Sequence, residues 1–176
     1  MKTLIILTHP NIENSVTNKR WIEELEKYPN NFDIHQLYKV YPDEKIKVIA
    51  EQKLMEKYNK IIFQFPLYWF SSPPLLKKWF DEVLIYGWAF GSKSGYKLEN
   101  KKIGLVISAG ATEDNYSLKG DYKHTLKEIL APFELTFKYV KANYHPYFAN
   151  YGAESDTPSE VIEESTRKYF FFVNAF

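Results

Sequence analysis

Two stretches in which every consecutive residue is apolar or glycine, "LIIL" at 4–7 and "IGLVI" at 103–107, constrain this chain more than any other feature. Side chains alternate across a β-strand, so a strand apolar at each position must be covered on both faces. Three further runs, 32–35, 61–65 and 135–140, read as strands beside 3–8 and 103–108, making five. Between them lie segments with apolar residues at three- and four-residue spacing, at 15–28, 45–58, 74–86, 122–131 and 159–172, which read as helices. Strands that alternate with helices connect by right-handed crossovers and pair in parallel. The expected fold class is therefore α/β, a three-layer sandwich with helices on both faces of a parallel sheet. No repeat, low-complexity run or Gly/Ser linker divides the 176 residues, so 1–176 is read as a single domain. The long irregular stretches are 87–100 and 142–157, and such loops usually carry function or an interface.

Composition removes several classes of function. The 23 basic and 22 acidic residues leave a net charge of +1, which gives no electrostatic footprint for nucleic acid or an anionic membrane. The absence of cysteine excludes a disulfide framework, a thiol nucleophile and thiolate metal ligands, and it fits a reducing cytoplasm. His35, His124 and His145 are scattered without metal-ligand spacing, so no metal is expected. "MKTLIILTHP" is too short in its apolar run for a signal segment, and no later run reaches membrane-spanning length, so the chain reads as soluble and cytoplasmic.

Ligands of open parallel sheets sit beyond the carboxyl ends of the strands, where strand order reverses, so three strand exits matter together. After the first strand, Ser15 is a candidate N-cap, and the first-turn N–H groups of its helix suit a phosphate. His9 adds a donor and Asn18 lies within reach. Neither GxGxxG nor the P-loop pattern is present, so a phosphate would be held without them. After the third strand, Pro66 and the pair Pro73 and Pro74 frame a turn carrying Tyr68, Trp69 and Phe70, in which Trp69 offers a flat wall. After the fourth, Ser108, Ala109 and Gly110 allow close backbone approach, and Tyr116 follows. Taken singly, each exit reads equally as an ordinary cap, a core corner or a tight turn.

Together these stretches resemble the flavodoxin-like NAD(P)H quinone dehydrogenase family, which includes DT-diaphorase and the flavoprotein ancillary subunit of glutathione-gated potassium efflux systems. The resemblance spans nearly the whole chain. It rests on His9-Pro10 with Ser15 and Asn18 in the spacing H-x5-S-x2-N, "VYPD" at 40–43, "AEQ" at 50–52, "FQFPLYWFSSPPLLKKWFDEV" at 63–83, "GWAFG" at 87–91 and "YSLKG" at 116–120.

The resemblance implies a flavodoxin-like sheet of order 2-1-3-4-5 and a bound flavin, FMN rather than FAD. His9, Ser15, Val16, Thr17 and Asn18 would hold its phosphate end. Pro66, Leu67, Tyr68 and Trp69 would run along the isoalloxazine ring through backbone N–H groups, and Ser108, Ala109, Gly110 and Ala111 would take the other side. Tyr116 is the implied catalytic residue, stabilising negative charge on the ring. NADPH or NADH would deliver hydride, and a quinone or another flat acceptor would receive two electrons at the same site. Members are homodimers in which aromatics of the partner's loop close the pocket, here Trp88 and Phe90. Similarity to the ancillary subunit brings a second expectation, a regulatory flavoprotein peripherally associated with a membrane transporter. A one-electron flavodoxin-type carrier shares the outline but is usually strongly acidic. The chain departs from the family where Thr-Thr-Gly-Gly reads Ser108, Ala109, Gly110, Ala111, and where the histidine that follows the tyrosine in some members is Tyr122.

Overall fold

Alternate residues of the central strands face opposite helical layers. Leu4, Ile6, Ile61, Phe63, Phe65, Ile103, Leu105 and Ile107 enter one core, and Ile5, Leu7, Ile62 and Val106 enter the other. In the computed structural model, which describes residues 2–93, 95–154 and 156–176, these residues belong to β1 (Thr3–Leu7), β3 (Lys60–Pro66) and β4 (Lys102–Ser108). With β2 (Phe32–Gln36), β5 (Asn143–Tyr144) and β6 (Phe148–Asn150) they form a parallel sheet of order β2-β1-β3-β4-β5, with β6 also paired to β4. The expected flavodoxin-like order is present, with a sixth strand added.

The first core is capped by α2 (Leu37–Val40), α3 (Val48–Glu56), α4 (Pro74–Val83), α5 (Leu126–Ile129) and α6 (Ala131–Tyr139). Its centre is aromatic, for the Phe63 ring lies 5.4 Å from Trp79, 5.2 Å from Phe80 and 5.4 Å from Phe137. The second core is covered by α1 (Val16–Glu26) and α7 (Ser159–Ala175), where Trp21 stacks on Tyr169 at 4.8 Å and 11°. Gly104 leaves room on this face for the Phe176 ring, which would have to shift to admit a Cβ that would stand 2.6 Å from it. No helix among the described residues is long and apolar enough to cross a membrane.

The fifth strand lies elsewhere than expected. Residues 135–140 alternate as a strand would, but Phe133, Phe137 and Val140 also fall at helical spacing, and they are the buried ones, while Leu135 and Tyr139 are exposed. The segment is therefore the last part of α6. The edge position is filled from 143–150, in two pieces, because Pro146 between them has no N–H for the ladder. The helix expected at 122–131 contracts to the single turn α5. Thr125 and Glu128 form its capping box, and Pro132 has no N–H with which to carry the hydrogen-bond ladder of α5 onward but is tolerated in a first turn, so the chain breaks and restarts as α6. The remaining expected helices agree with the structure to within a few terminal residues.

One buried charge ties this layer together. Glu51 of α3 is 1% exposed and accepts hydrogen bonds from Tyr41 Oη at 2.5 Å, Trp79 Nε1 at 2.8 Å and His35 Nε2 at 2.9 Å. Burial alone pushes its carboxyl upward, but the bonds from His35, Tyr41 and Trp79 outweigh that and hold it below the usual carboxylate value of 4.5. The stabilisation is thus complete above about pH 5 and is lost as the pH falls through the lower folded value. Glu51→Gln should cost about 2 kcal/mol in urea unfolding at pH 7, and the difference from wild type should narrow in acid. An unchanged midpoint at pH 7 would show that the carboxylate contributes nothing.

Candidate active site

The carboxyl ends of β1, β3 and β4 open together, and between them lies a cleft of about 440 Å³. It is lined by ten of the thirteen residues expected to bind a cofactor: His9, Ser15, Val16, Thr17, Asn18, Pro66, Leu67, Tyr68, Ser108 and Gly110. Trp69, Ala109 and Ala111 stand outside the lining.

The first wall is the start of α1. Ser15 Oγ accepts the Asn18 N–H at 3.1 Å, which confirms it as the N-cap. Among the described residues the Val16 and Thr17 amides have no acceptor, and Thr17 Oγ1 is buried without a partner. His9 Nδ1 accepts the Asn11 N–H at 3.2 Å, so its proton sits on Nε2, and burial lowers its pKa and favours this neutral form. The lining contains no lysine or arginine. An anion here would be held by neutral donors and the positive end of the helix dipole.

The second wall is strained. Tyr68 and Ser71 exchange N–H···O bonds of 2.9 Å in a two-residue hairpin, with Trp69 at φ 48° and Phe70 at φ 60°. Such turns favour Asn-Gly, and L-residues in this conformation cost roughly 1–2 kcal/mol each. The Leu67 N–H is spent on Ser108 O at 2.8 Å and the Tyr68 N–H on Ser71 O, while Pro66 has none. The expected row of donors from 66 to 69 therefore shifts, and the backbone amides without an acceptor among the described residues are those of Trp69 and Phe70. The Trp69 side chain is 94% exposed, a flat surface beside the cleft rather than a buried corner.

The third wall follows β4. The Ala109 N–H bonds Asn150 O at 2.8 Å, and the Ala109 and Ala111 carbonyls accept from Ala153 and Gly152 at 2.9 and 3.0 Å. These two alanines thus anchor the loop after β6, which brings Ala153 and Glu154 into the lining. Glu154, Asn11 and Asn14 were not expected there; the two asparagines follow from their place between His9 and Ser15, whereas nothing in the sequence marks Glu154. Among the described residues the Gly110 amide has no acceptor, and a Cβ built on it would meet nothing within 4 Å.

Tyr116, the expected catalytic residue, is outside the cleft lining, buried in a row of rings 5.0 Å from Tyr122 and 5.6 Å from Tyr151, with Phe70 4.9 Å beyond Tyr122. Its hydroxyl has no hydrogen-bond partner among the described residues. Burial first, then the neighbouring Tyr122, raises its pKa, so it remains a donor at neutral pH. A larger, apolar groove of about 690 Å³ starts at Phe70 and runs along α4 and α6. Its walls are mostly aromatic and aliphatic, whereas the smaller cleft carries the free donors. Trp88, expected to reach a partner subunit, is 8% exposed and donates to Glu56 Oε1 at 2.7 Å within its own chain. Phe90 does line the groove.

A family described as having a flavodoxin-like fold matches residues 1–170. The uncharacterized NAD(P)H oxidoreductase YrkL of Bacillus subtilis is 46% identical over 95% of this chain and 95% of its own. The glutathione-regulated potassium-efflux system ancillary protein KefG of Cronobacter sakazakii is 38% identical over 91% and 86%. Among solved structures, general stress protein 14 of Treponema denticola in complex with FMN superposes with a TM-score of 0.94 at 46% identity, covering 99% of both chains. An NADPH-quinone reductase from P. pentosaceus gives 0.81 at 31%, covering 96% and 98%. The match over 170 residues, together with these relatives, shows that the chain belongs to the family with the flavodoxin-like fold.

Proposed function

We propose that this chain is an FMN-dependent NAD(P)H:quinone oxidoreductase that passes two electrons, as hydride, from NADPH or NADH to a quinone or similarly flat acceptor. The observation that carries the reading is the set of unpaired donors meeting in one cleft: the amides of Val16, Thr17 and Gly110, the Thr17 hydroxyl and His9 Nε2, with those of Trp69 and Phe70 at its edge. That set fits a phosphate at the start of α1 and a carbonyl-rich ring between the other two walls. The FMN complex of the Treponema denticola relative and the names of the oxidoreductase relatives support it.

In this reading His9 and residues 15–18 hold the phosphate, while Pro66, Leu67, Tyr68 and Trp69 face the ring from one side and Ser108, Ala109, Gly110 and Ala111 frame it from the other. The flavin supplies reversible two-electron chemistry that side chains lack. Tyr116 keeps its proton at neutral pH and would offer it as a hydrogen bond to a flavin ring held here, without a histidine partner. The strained hairpin presents Trp69 as a platform for flat donors and acceptors in turn.

A second copy of the chain is the proposed occupant of the groove along α4 and α6, where Phe70, Phe90, Leu135 and Tyr139 offer apolar surface next to the hairpin. The protein would work as a homodimer in the cytoplasm. The similarity to KefG raises a second partner, a membrane transporter bound peripherally.

Purified protein incubated with FMN should show flavin absorbance that bleaches with NAD(P)H and returns with a quinone; protein that stays colourless with FMN would overturn the reading. Gly110→Val should leave the urea midpoint of the apo-protein nearly unchanged, because the space is open, yet weaken FMN binding at least tenfold. Tyr116→Phe should slow flavin reduction in stopped flow by about 10²-fold while FMN affinity holds. Leu135→Lys should convert the dimer to monomer by light scattering, and retention of the dimer would place the interface elsewhere. Flotation with transporter-containing vesicles, absent from transporter-free ones, would add the regulatory role.

A further inference from the structure

A line of buried polar side chains runs from the C-terminal helix, through the sheet, to the wall of the cleft. Tyr169 of α7, fully buried, donates its hydroxyl to Gln64 Oε1 at 2.7 Å. Gln64 of β3, also fully buried, donates Nε2–H to Asn18 Oδ1 at 3.2 Å. Asn18 of α1, 1% exposed, donates Nδ2–H to Ser108 Oγ at 2.8 Å, and Ser108 lines the cleft. Four elements thus contribute one side chain each.

The direction of this chain follows from its far end. Gln64 is the sole hydrogen-bond partner of the Tyr169 hydroxyl among the described residues, so a reversed arrangement would bury the tyrosine proton with no acceptor. Burial raises the pKa of Tyr169 well above the ordinary value, so the proton stays. The amide oxygen of Gln64 is then turned to Tyr169 and its NH₂ to Asn18. Asn18 in turn must face Gln64 with oxygen and Ser108 with NH₂. Ser108 Oγ accepts, and its own proton, which has no acceptor among the described residues, remains for the cleft. The anchor is itself fixed, since the Tyr169 ring is stacked on Trp21, whose Nε1 donates to Ser165 Oγ at 3.1 Å.

We propose that Tyr169 and Gln64 are positioning residues that set the hydrogen-bond polarity of the cleft, so that Ser108 presents its hydroxyl as a donor to an acceptor atom of the bound flavin. The inference rests on the FMN reading for its ligand, but the polarity belongs to the chain alone. A buried network of this kind gives orientation as well as satisfaction, because a flip at one amide would leave two like groups facing each other.

Tyr169→Phe is the informative variant, since it removes one oxygen far from the cleft and leaves every lining residue in place. The dissociation constant for FMN should rise about 5- to 10-fold, the loss expected when one donor is no longer held in place. In a Ser108→Ala background, where there is no hydroxyl to orient, the same substitution should change it no further. Equal effects in both backgrounds, or a lowered urea midpoint with unchanged FMN affinity, would make Tyr169 merely structural and overturn the proposal. If Tyr169→Phe does not fold, Gln64→Met in the same cycle gives the same reading. In the apo-protein, the ¹⁵N side-chain amide resonance of Asn18 should move in Tyr169→Phe as it does in Ser108→Ala; if it does not move, the proposal fails. Because that second readout needs no cofactor, wild-type protein that failed to bind FMN would sink the proposed function while the network was still tested.

Discussion

The parallel pairing of β3 with β4 is the constraint on which the rest of this structure depends. Its ladder is seven residues long and continues past the sheet, where the Leu67 N–H reaches Ser108 O. That bond fixes the second and third walls of the cleft against each other. Because both strands are buried on both faces, a slip of one residue would exchange the two cores, so the register and the spacing of the walls are set by the same hydrophobic term. The first wall is attached through β1, which pairs with β3 in register from Leu4 to Leu7, and the Thr8 N–H extends that ladder to Gln64 O.

The cleft is made of neutral donors. Its lining offers amides, hydroxyls, one neutral imidazole and the start of a helix, with the Glu154 carboxylate at the rim. Such a site is suited to binding by preorganisation rather than by net charge, since the donors that have no acceptor among the described residues are already held in place before a ligand arrives. The strained turn at Trp69 and Phe70 belongs to the same logic. Two aromatic residues occupy a conformation suited to Asn-Gly, and the return is a pair of free amides beside an exposed indole. The Glu51 network holds α4, which starts just after this turn, against α3, so the buried charge supports the platform from behind.

The two helical layers differ in what they border. The groove along α4 and α6 begins where the hairpin ends, so an occupant of that groove would also form an edge of the site through Phe70 and Phe90. On the other side of the sheet, α1 and α7 are locked by the Trp21 and Tyr169 stack and by Arg20, whose guanidinium bridges Glu24 and Glu163 at 2.9 and 2.6 Å. The polar chain from Tyr169 to Ser108 passes through this locked layer.

Much of the molecule is legible from local pattern. The doubly apolar runs name the buried strands, Ser15 names the start of α1, and the residues after three strand ends name most of the cleft, because capping and alternation depend on near neighbours. The segment 135–140 shows where local pattern fails: it satisfies strand and helix periods at once, and the burial of Phe137 against Phe63 and of Phe133 against Phe65 decided between them. Nothing local places Glu154 in the cleft, turns Trp88 inward or spends the Leu67 amide on Ser108. The sequence by itself determined the layers, the strand exits and the kind of chemistry they suit. Tertiary structure alone decided which donors remain free, since a hydrogen-bonding group is available only when every partner within reach, however distant in the chain, has been taken into account.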